Sequence, residues 1–419
     1  MSEANKIYLI DSEKLSPEAL ARKHQLENDK SSRTNIMDYL PGQQVIESDL
    51  KDRLLAAMED FHPEEFTTAA VRRALDGDCC SVADFQALLS PAAAPFLEQM
   101  AQRAELETQR HFGNTVYIFT PLYIANYCQN YCVYCGFNCY NQIARKKLSM
   151  EEIEKEMKVI SNSGMEEILI LTGESRAQSN VEYIGDAIRI ARKYFRNIGV
   201  EVYPLNVDEY AYLHDCGCDY VTVFQETYDR EKYEQLHLLG HKRVWPYRFD
   251  AQERALMGGM RGAGFSALLG LSDWRKDAFA SAYHVYLINR KYPHAELSLS
   301  CPRLRPIVNN ERINPQDVGE RELCQILCAY RIFLPFVGIT VSSRESAAFR
   351  NGITRICATK VSAGVSTGIG DHESKYTGAP KEDAGDEQFE IQDGRSIDKM
   401  YQDMQNGGLQ PVLNDYLFL

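Results

Sequence analysis

The sequence has no run of the roughly 18 apolar residues that a membrane helix needs. No basic leader runs into an apolar core after Met1-Ser2-Glu3-Ala4-Asn5-Lys6, so neither a span nor a secretory signal is expected. Cysteine is scarce for a disulfide scaffold, 12 residues in 419. A cytoplasmic setting is therefore expected, where thiols serve packing, metals or catalysis. Positive charge is in deficit: 46 Lys and Arg stand against 59 Asp and Glu, a net charge of -13. That balance repels phosphate backbones and anionic lipid, so no nucleic-acid or membrane partner is expected. With 44% hydrophobic and 25% charged residues and a mean hydropathy of -0.37, the chain reads as an ordinary soluble enzyme with a large core.

Patterning divides the chain into four regions. Residues 1–46 are a polar, aperiodic extension. Residues 47–112 are helical, with a capping box at Ser81-Val82-Ala83-Asp84 and an apolar stripe from Pro91 to His111. From 113 to 370, eight short apolar runs alternate with helical segments. The strands are expected at Val116–Tyr123, Glu167–Thr172, Gly199–Leu205, Tyr220–Gln225, Ser266–Leu271, Glu296–Cys301, Gly338–Val341 and Ile356–Val361. Eight βα units in about 250 residues predict an α/β fold, a closed (βα)8 TIM-type barrel with an N-terminal helical extension and a short C-terminal tail. An open doubly wound sheet is the alternative. Residues 371–419 read as a mobile acidic loop, Asp371–Gln388, and a tail with a helix near Ile397–Gln405 ended by Asn406-Gly407-Gly408.

The chemistry concentrates in Cys128-Gln129-Asn130-Tyr131-Cys132-Val133-Tyr134-Cys135, a C-x3-C-x2-C run directly after the first strand. Three thiolates within eight residues can hold one face of an iron–sulfur cubane and leave its fourth iron open to a ligand. Two alternatives stand beside this. Cys139 can close the cluster as a fourth ligand, or the cysteines can form a non-catalytic zinc scaffold, although structural zinc favours paired C-x2-C units. Other polar clusters fall where strands end, the working face of a βα barrel: Thr172-Gly173-Glu174-Ser175, Gln225-Glu226-Thr227-Tyr228, Cys301-Pro302-Arg303-Leu304-Arg305-Pro306 and Ser342-Ser343-Arg344-Glu345.

With an aromatic residue before its last cysteine, this run resembles the radical S-adenosylmethionine (SAM) superfamily. Leu122-Tyr123-Ile124-Ala125-Asn126-Tyr127-Cys128, Cys132-Val133-Tyr134-Cys135-Gly136-Phe137 and the upstream Leu88-Leu89-Ser90-Pro91-Ala92-Ala93-Ala94 are similar to the 2-iminoacetate synthase family. The similarity runs from about residue 80 to about residue 415. The resemblance implies one [4Fe-4S] cluster on Cys128, Cys132 and Cys135 with an open iron that chelates SAM. It further implies cleavage of the Cα–Cβ bond of L-tyrosine to 2-iminoacetate and p-cresol, with 5'-deoxyadenosine and methionine as the other products. Thiazole synthase is the implied receiving partner in thiamin thiazole synthesis, and an external donor supplies the electron.

It also assigns roles. Tyr134, Glu174, Gln225, Glu226 and Arg248 are the cofactor-side residues, with Glu174 placed to bond the amino group of SAM and Arg248 its carboxylate. Thr172 stands where the superfamily has a glycine. Arg303, Arg305, Ser343 and Arg344 are the substrate-side candidates. The plain alternatives are a solvated Glu174, a surface Arg248 and a barrel-rim ion pair between Arg344 and Glu345. Rival branches are a tryptophan lyase and the hydrogenase-maturation tyrosine lyase, whose C-terminal extension is rich in cysteine, whereas no cysteine follows Cys357. His237 and His241, four residues apart, lack the glutamate of a zinc protease, and Cys324, Cys328 and Cys357 read as core thiols.

Overall fold

The computed structural model describes residues 3–10, 14–378 and 385–413. Eight parallel strands form a closed barrel: β1 (Thr115–Ala125), β2 (Glu167–Thr172), β3 (Asn197–Glu201), β4 (Tyr220–Glu226), β5 (Gly262–Ala267), β6 (Glu296–Ser300), β7 (Gly338–Val341) and β8 (Lys360–Ser362). Each pairs with the next, and β8 pairs back to β1 through Tyr117 with Lys360, Ile118 with Val361 and Phe119 with Ser362. Closure excludes the open sheet. A short β9 (Gln410–Val412) adds alongside the start of β1. No helix among the described residues is long and apolar enough to cross a membrane.

The strands are apolar runs because helices cover their outer faces and side chains fill the inside. Every residue of β2 is buried. The helices begin where the sequence supplies caps: Ser149 and Glu152 form a capping box ahead of Met150–Ser161, and Asn180 caps Val181–Ala191. The capping box at Ser81 and Asp84 forms as the spacing predicts. Helices of the 47–112 region pack outside the barrel, where Phe61 meets Phe279 at 4.9 Å and Phe85 stacks on Phe333 at 4.3 Å.

Three strands differ from their sequence reading. β5 begins four residues earlier, at Gly262, because Gly262 and Gly264 occupy the narrow space beside Tyr220 and Thr222 of β4. β8 is shorter and begins at Lys360, since the preceding helix runs through Ile356. β3 stops at Glu201, short of Leu205.

The termini differ more. The region read as a polar extension contains a helix, Pro17–Asn28, capped by Ser16. Tyr8, Ile10 and Leu26 are buried in one apolar cluster with Tyr131, Cys132 and Val133. The segment read as a mobile loop contains a helix, His372–Thr377, whose His372 is buried against Glu156. Gly385 then pairs with Ile369; residues 379–384 lie outside the described residues. The expected tail helix is present as Ile397–Asn406.

A buried ion pair fixes the segment after residue 385 to the barrel. Arg350 and Asp393 meet at 2.6 Å with side chains only 1% exposed, and Arg395 also bonds Asp393. Replacing Asp393 with alanine leaves the Arg350 guanidinium buried without its carboxylate. The expected cost is about 3–5 kcal/mol, measured as a lower denaturant midpoint; an unchanged midpoint would show that this pair does not tie the segment down.

Candidate active site

The cysteine loop leaves the end of β1 and is fastened by backbone bonds on two sides. Gly173 N–H donates to Ala125 O at 2.8 Å, and Gln129 N–H donates to Glu174 O at 3.1 Å. This approach requires a glycine, since a Cβ at Gly173 would stand 2.3 Å from Tyr127 O. On the other side, Tyr131 and Val133 donate to Leu239 O and Leu236 O, and Leu238 donates to Tyr131 O. The two histidines read as non-metal residues lie in this region. His237 is buried, with its ring bonded to Tyr134 Oη at 2.8 Å and Tyr233 O at 3.0 Å. Burial, reinforced by the charge of Lys242, holds its pKa well below the usual histidine value, so it is neutral.

The loop places Cys128, Cys132 and Cys135 on one wall of a cavity at the C-terminal mouth of the barrel. Cys139 does not line that cavity and instead packs against the apolar cluster containing Tyr131 and Tyr140. Burial pushes the Cys128 thiol up to about 11, assisted by the nearby Glu174 charge, and raises Cys132 well above its ordinary value. Among the described residues no three His, Cys, Asp or Glu side chains close on one point as a single-ion site requires. Three thiols on one cavity, one short of the four ligands of a structural zinc site, suit the face of a polynuclear cluster.

A buried charge network lines the same cavity. Arg248 Nη1 donates to Glu174 Oε1 at 2.9 Å, while Asn130 Nδ2 donates to Glu174 Oε2 at 3.0 Å. Lys242 Nζ bonds Glu226 Oε1 at 2.6 Å and lies 3.7 Å from Glu174. Burial works to raise the Glu174 pKa, but Arg248, Lys242 and the hydrogen bonds outweigh it and hold the carboxylate ionised. Glu226 has a φ of 72°, rare for a non-glycine residue, where the β4 register shifts against β5. The other cofactor-side residue of that stretch, Gln225, does not line this cavity: it is buried, and among the described residues both atoms of its side-chain amide are unpartnered. Strand alternation separates it from Phe224 and Glu226, which do line the mouth.

A second chamber continues down into the barrel. Tyr123, Leu171, Glu201, Phe224 and Arg344 line both chambers, with Gln388 and Phe389 closing over them. Ser343 faces the lower chamber and Arg305 the upper. Arg303 lines neither. It is bound to Glu345 and to Val318 O, so the rim ion pair anticipated for Arg344 belongs to Arg303. Arg305 donates to Arg344 O, and the Arg344 guanidinium lies 3.4 Å from the centre of the Phe389 ring. Burial lowers the Arg344 pKa, yet a guanidinium remains protonated.

Four participants were missed in the sequence. Lys242 belongs to no recognised motif, and Asn130 occupies one of the unspecified positions inside the cysteine run. Glu201 is a single acid in the apolar run Ile198-Gly199-Val200-Glu201-Val202, and period-2 alternation is its only signal. Gln388 falls in the segment read as a loop. Tyr123 Oη donates to Gln388 Oε1 at 2.9 Å, and the Gln388 backbone crosses Gly136 so closely that a Cβ there would be 2.2 Å from Gln388 O.

Comparison with known proteins agrees with this geometry. The Radical SAM superfamily model matches residues 122–279, and the Biotin and Thiamin Synthesis associated domain matches residues 300–410. The 2-iminoacetate synthase of Escherichia coli (strain K12) is 38% identical over 352 residues, 84% of this chain and 91% of that protein. Among solved structures, HydG, a maturase of the [FeFe]-hydrogenase, superposes with a TM-score of 0.78 at 27% identity, covering 88% of this chain and 81% of that one. Methylornithine synthase (PylB) superposes with a TM-score of 0.65 at 18% identity over 82% of this chain and 97% of that one, a likeness of fold.

The position of Cys139 leads to a direct test. Cys139→Ala is expected to retain the iron content and SAM-dependent spectral change of the parent protein, whereas Cys132→Ala loses most of its iron. Equal iron loss in both variants would make Cys139 a ligand.

Proposed function

The chain belongs to the 2-iminoacetate synthase family of the radical SAM superfamily, and from that membership we propose how its residues divide the reaction. It is a radical SAM carbon–carbon lyase whose cofactors are a [4Fe-4S] cluster and SAM. The substrate is L-tyrosine, cleaved between Cα and Cβ to 2-iminoacetate and p-cresol. Cys128, Cys132 and Cys135 would hold the cluster, and Tyr134, braced by His237, lines the same cavity. When bound, cluster and SAM supply a 5'-deoxyadenosyl radical, using an electron from an external donor.

Without ligand, Glu174 and Arg248 satisfy each other. Each could instead take one charge of a zwitterionic methionyl group, Glu174 the ammonium and Arg248 the carboxylate, so that no buried charge would be left unmatched. Glu226, held by Lys242, faces the same space and suits the ribose hydroxyls.

One observation carries the substrate assignment. Among the described residues, Arg248, Lys242 and Arg303 each have a carboxylate within 3.0 Å, Arg305 has Glu345 at 3.9 Å, and Arg344 has none within ion-pair distance. A buried cation facing a cavity without a counter-charge is a receptor for an anion, and the tyrosine carboxylate supplies one with two parallel acceptors. Ser343 adds a hydroxyl below it. Arg305 fixes the Arg344 backbone, and Arg303 fixes Glu345, so both act as positioning residues. Gln388 and Phe389 exclude water from the mouth.

The imine product is hydrolysed by water, which favours direct transfer to thiazole synthase; the match to a domain associated with thiamin synthesis supports that partner. The reading is tested by incubating reconstituted protein anaerobically with SAM, dithionite and each aromatic amino acid, with p-cresol and glyoxylate expected from tyrosine alone. Arg344→Lys keeps the charge and loses the paired geometry. Tyrosine turnover is expected to fall by roughly 100-fold while SAM binding is retained; parent-level turnover would remove Arg344 from the substrate clamp.

A further inference from the structure

Glu201 ends β3 with its carboxyl at the level of Arg344, where the two chambers join. Among the described residues its carboxyl has no hydrogen-bond or ion-pair partner. The groups facing it are Glu226 from β4, Arg344 from the loop after β7, Lys242 and Arg248 from the 241–249 segment, and Tyr123 from β1. Glu174 and Glu226 are already engaged with Arg248 and Lys242. Glu201 is therefore the carboxyl at the chamber junction still able to meet a new cation.

We propose that Glu201 is the base that takes a proton from the ammonium group of the substrate before hydrogen-atom abstraction. The inference rests on the placement of the tyrosine carboxylate at Arg344. Carboxylate and ammonium share one carbon, so that placement brings the ammonium to the level of Glu201. The transfer balances simply: one N–H bond breaks, one O–H bond forms, the ammonium becomes an amine and the carboxylate an acid, and no electron leaves the pair. A neutral amine can lose a hydrogen atom and collapse to a neutral imine as the Cα–Cβ bond breaks. An ammonium would have to carry its positive charge through the same step in a water-poor cavity.

The surroundings favour this direction. Burial, followed by the repulsion of Glu226, pushes the Glu201 pKa up to about 7, against the opposing pull of Arg344, Lys242 and Arg248. Once the substrate carboxylate neutralises Arg344, one of those pulls weakens and Glu201 becomes more basic as the amino acid seats.

The test uses the reconstituted holoenzyme with Glu201→Gln and Glu201→Asp, assayed from about pH 6 to about pH 9, a range that includes the carboxyl and approaches the amine. Parent kcat/KM is expected to fall as pH drops through about 7, because a protonated Glu201 cannot accept the proton. Glu201→Gln is expected to lower kcat by roughly 100-fold or more, to lose that acid limb, and to retain SAM binding. Glu201→Asp should keep the limb with a smaller loss. Binding supplies a second readout: parent protein should prefer tyrosine over 3-(4-hydroxyphenyl)propanoate, which lacks the amino group, and Glu201→Gln should narrow that preference. Glu201→Gln turning over tyrosine with the parent rate and pH profile overturns the proposal, as does equal loss of affinity for both ligands. Failure of the parent protein itself to cleave tyrosine overturns the substrate reading and this proposal together.

Discussion

A charge removed from water must be matched, and at the mouth of this barrel that requirement organises the surrounding structure. Glu174, Glu226, Arg248 and Lys242 form a neutral set on the cofactor side. Deeper in, Arg344 and Glu201 face the same space, and among the described residues neither has an oppositely charged partner within ion-pair distance. The first set can exchange its internal pairs for an incoming zwitterion, and the second pair stands ready for another. Two amino-acid head groups, one on the cofactor and one on the substrate, are thus met by two differently prepared charge arrangements in one cavity.

Such preparation depends on a rigid frame. The cysteine loop has no regular secondary structure, yet strand-like backbone bonds hold it to residues 236–239 and further bonds hold it to the end of β2. Tyr134 is set by His237, whose neutrality keeps an extra positive charge out of the thiol environment. Asn130 links the frame to the charge network, since its side chain bonds both Glu174 and the Lys242 backbone. A displacement of this one amide is felt by thiols, carboxylate and lysine together.

Much of this was legible from local pattern. Strand apolarity, the polar clusters at strand ends and the cysteine spacing all arise from nearby residues, and they locate the barrel and its mouth, although the bounds of β3, β5 and β8 move and Gln225 and Arg303 line neither chamber. β5 begins ahead of its expected start because Gly262 and Gly264 leave room for Glu296 O, Tyr220 and Thr222 of the strands alongside, a packing requirement with no local signal. Lys242 could not be recognised because its partners, Glu174 and Glu226, are brought to it only by barrel closure. Arg303 and Arg344 were indistinguishable in sequence. Their difference lies in which of them Glu345 can reach, a property of packing. The N-terminal helix was hidden by polarity, since its few apolar positions become buried only against the cysteine loop.

The crossing of Gly136 by Gln388 has a consequence for biogenesis. A ribosome delivers all eight barrel strands and the three cysteines before it delivers the segment that lies across them. Until that segment emerges, the mouth lacks Gln388 and Phe389, two of the side chains that line it in the finished fold. Residues 385–393 complete the enclosure afterwards, and the Arg350–Asp393 pair serves as its latch.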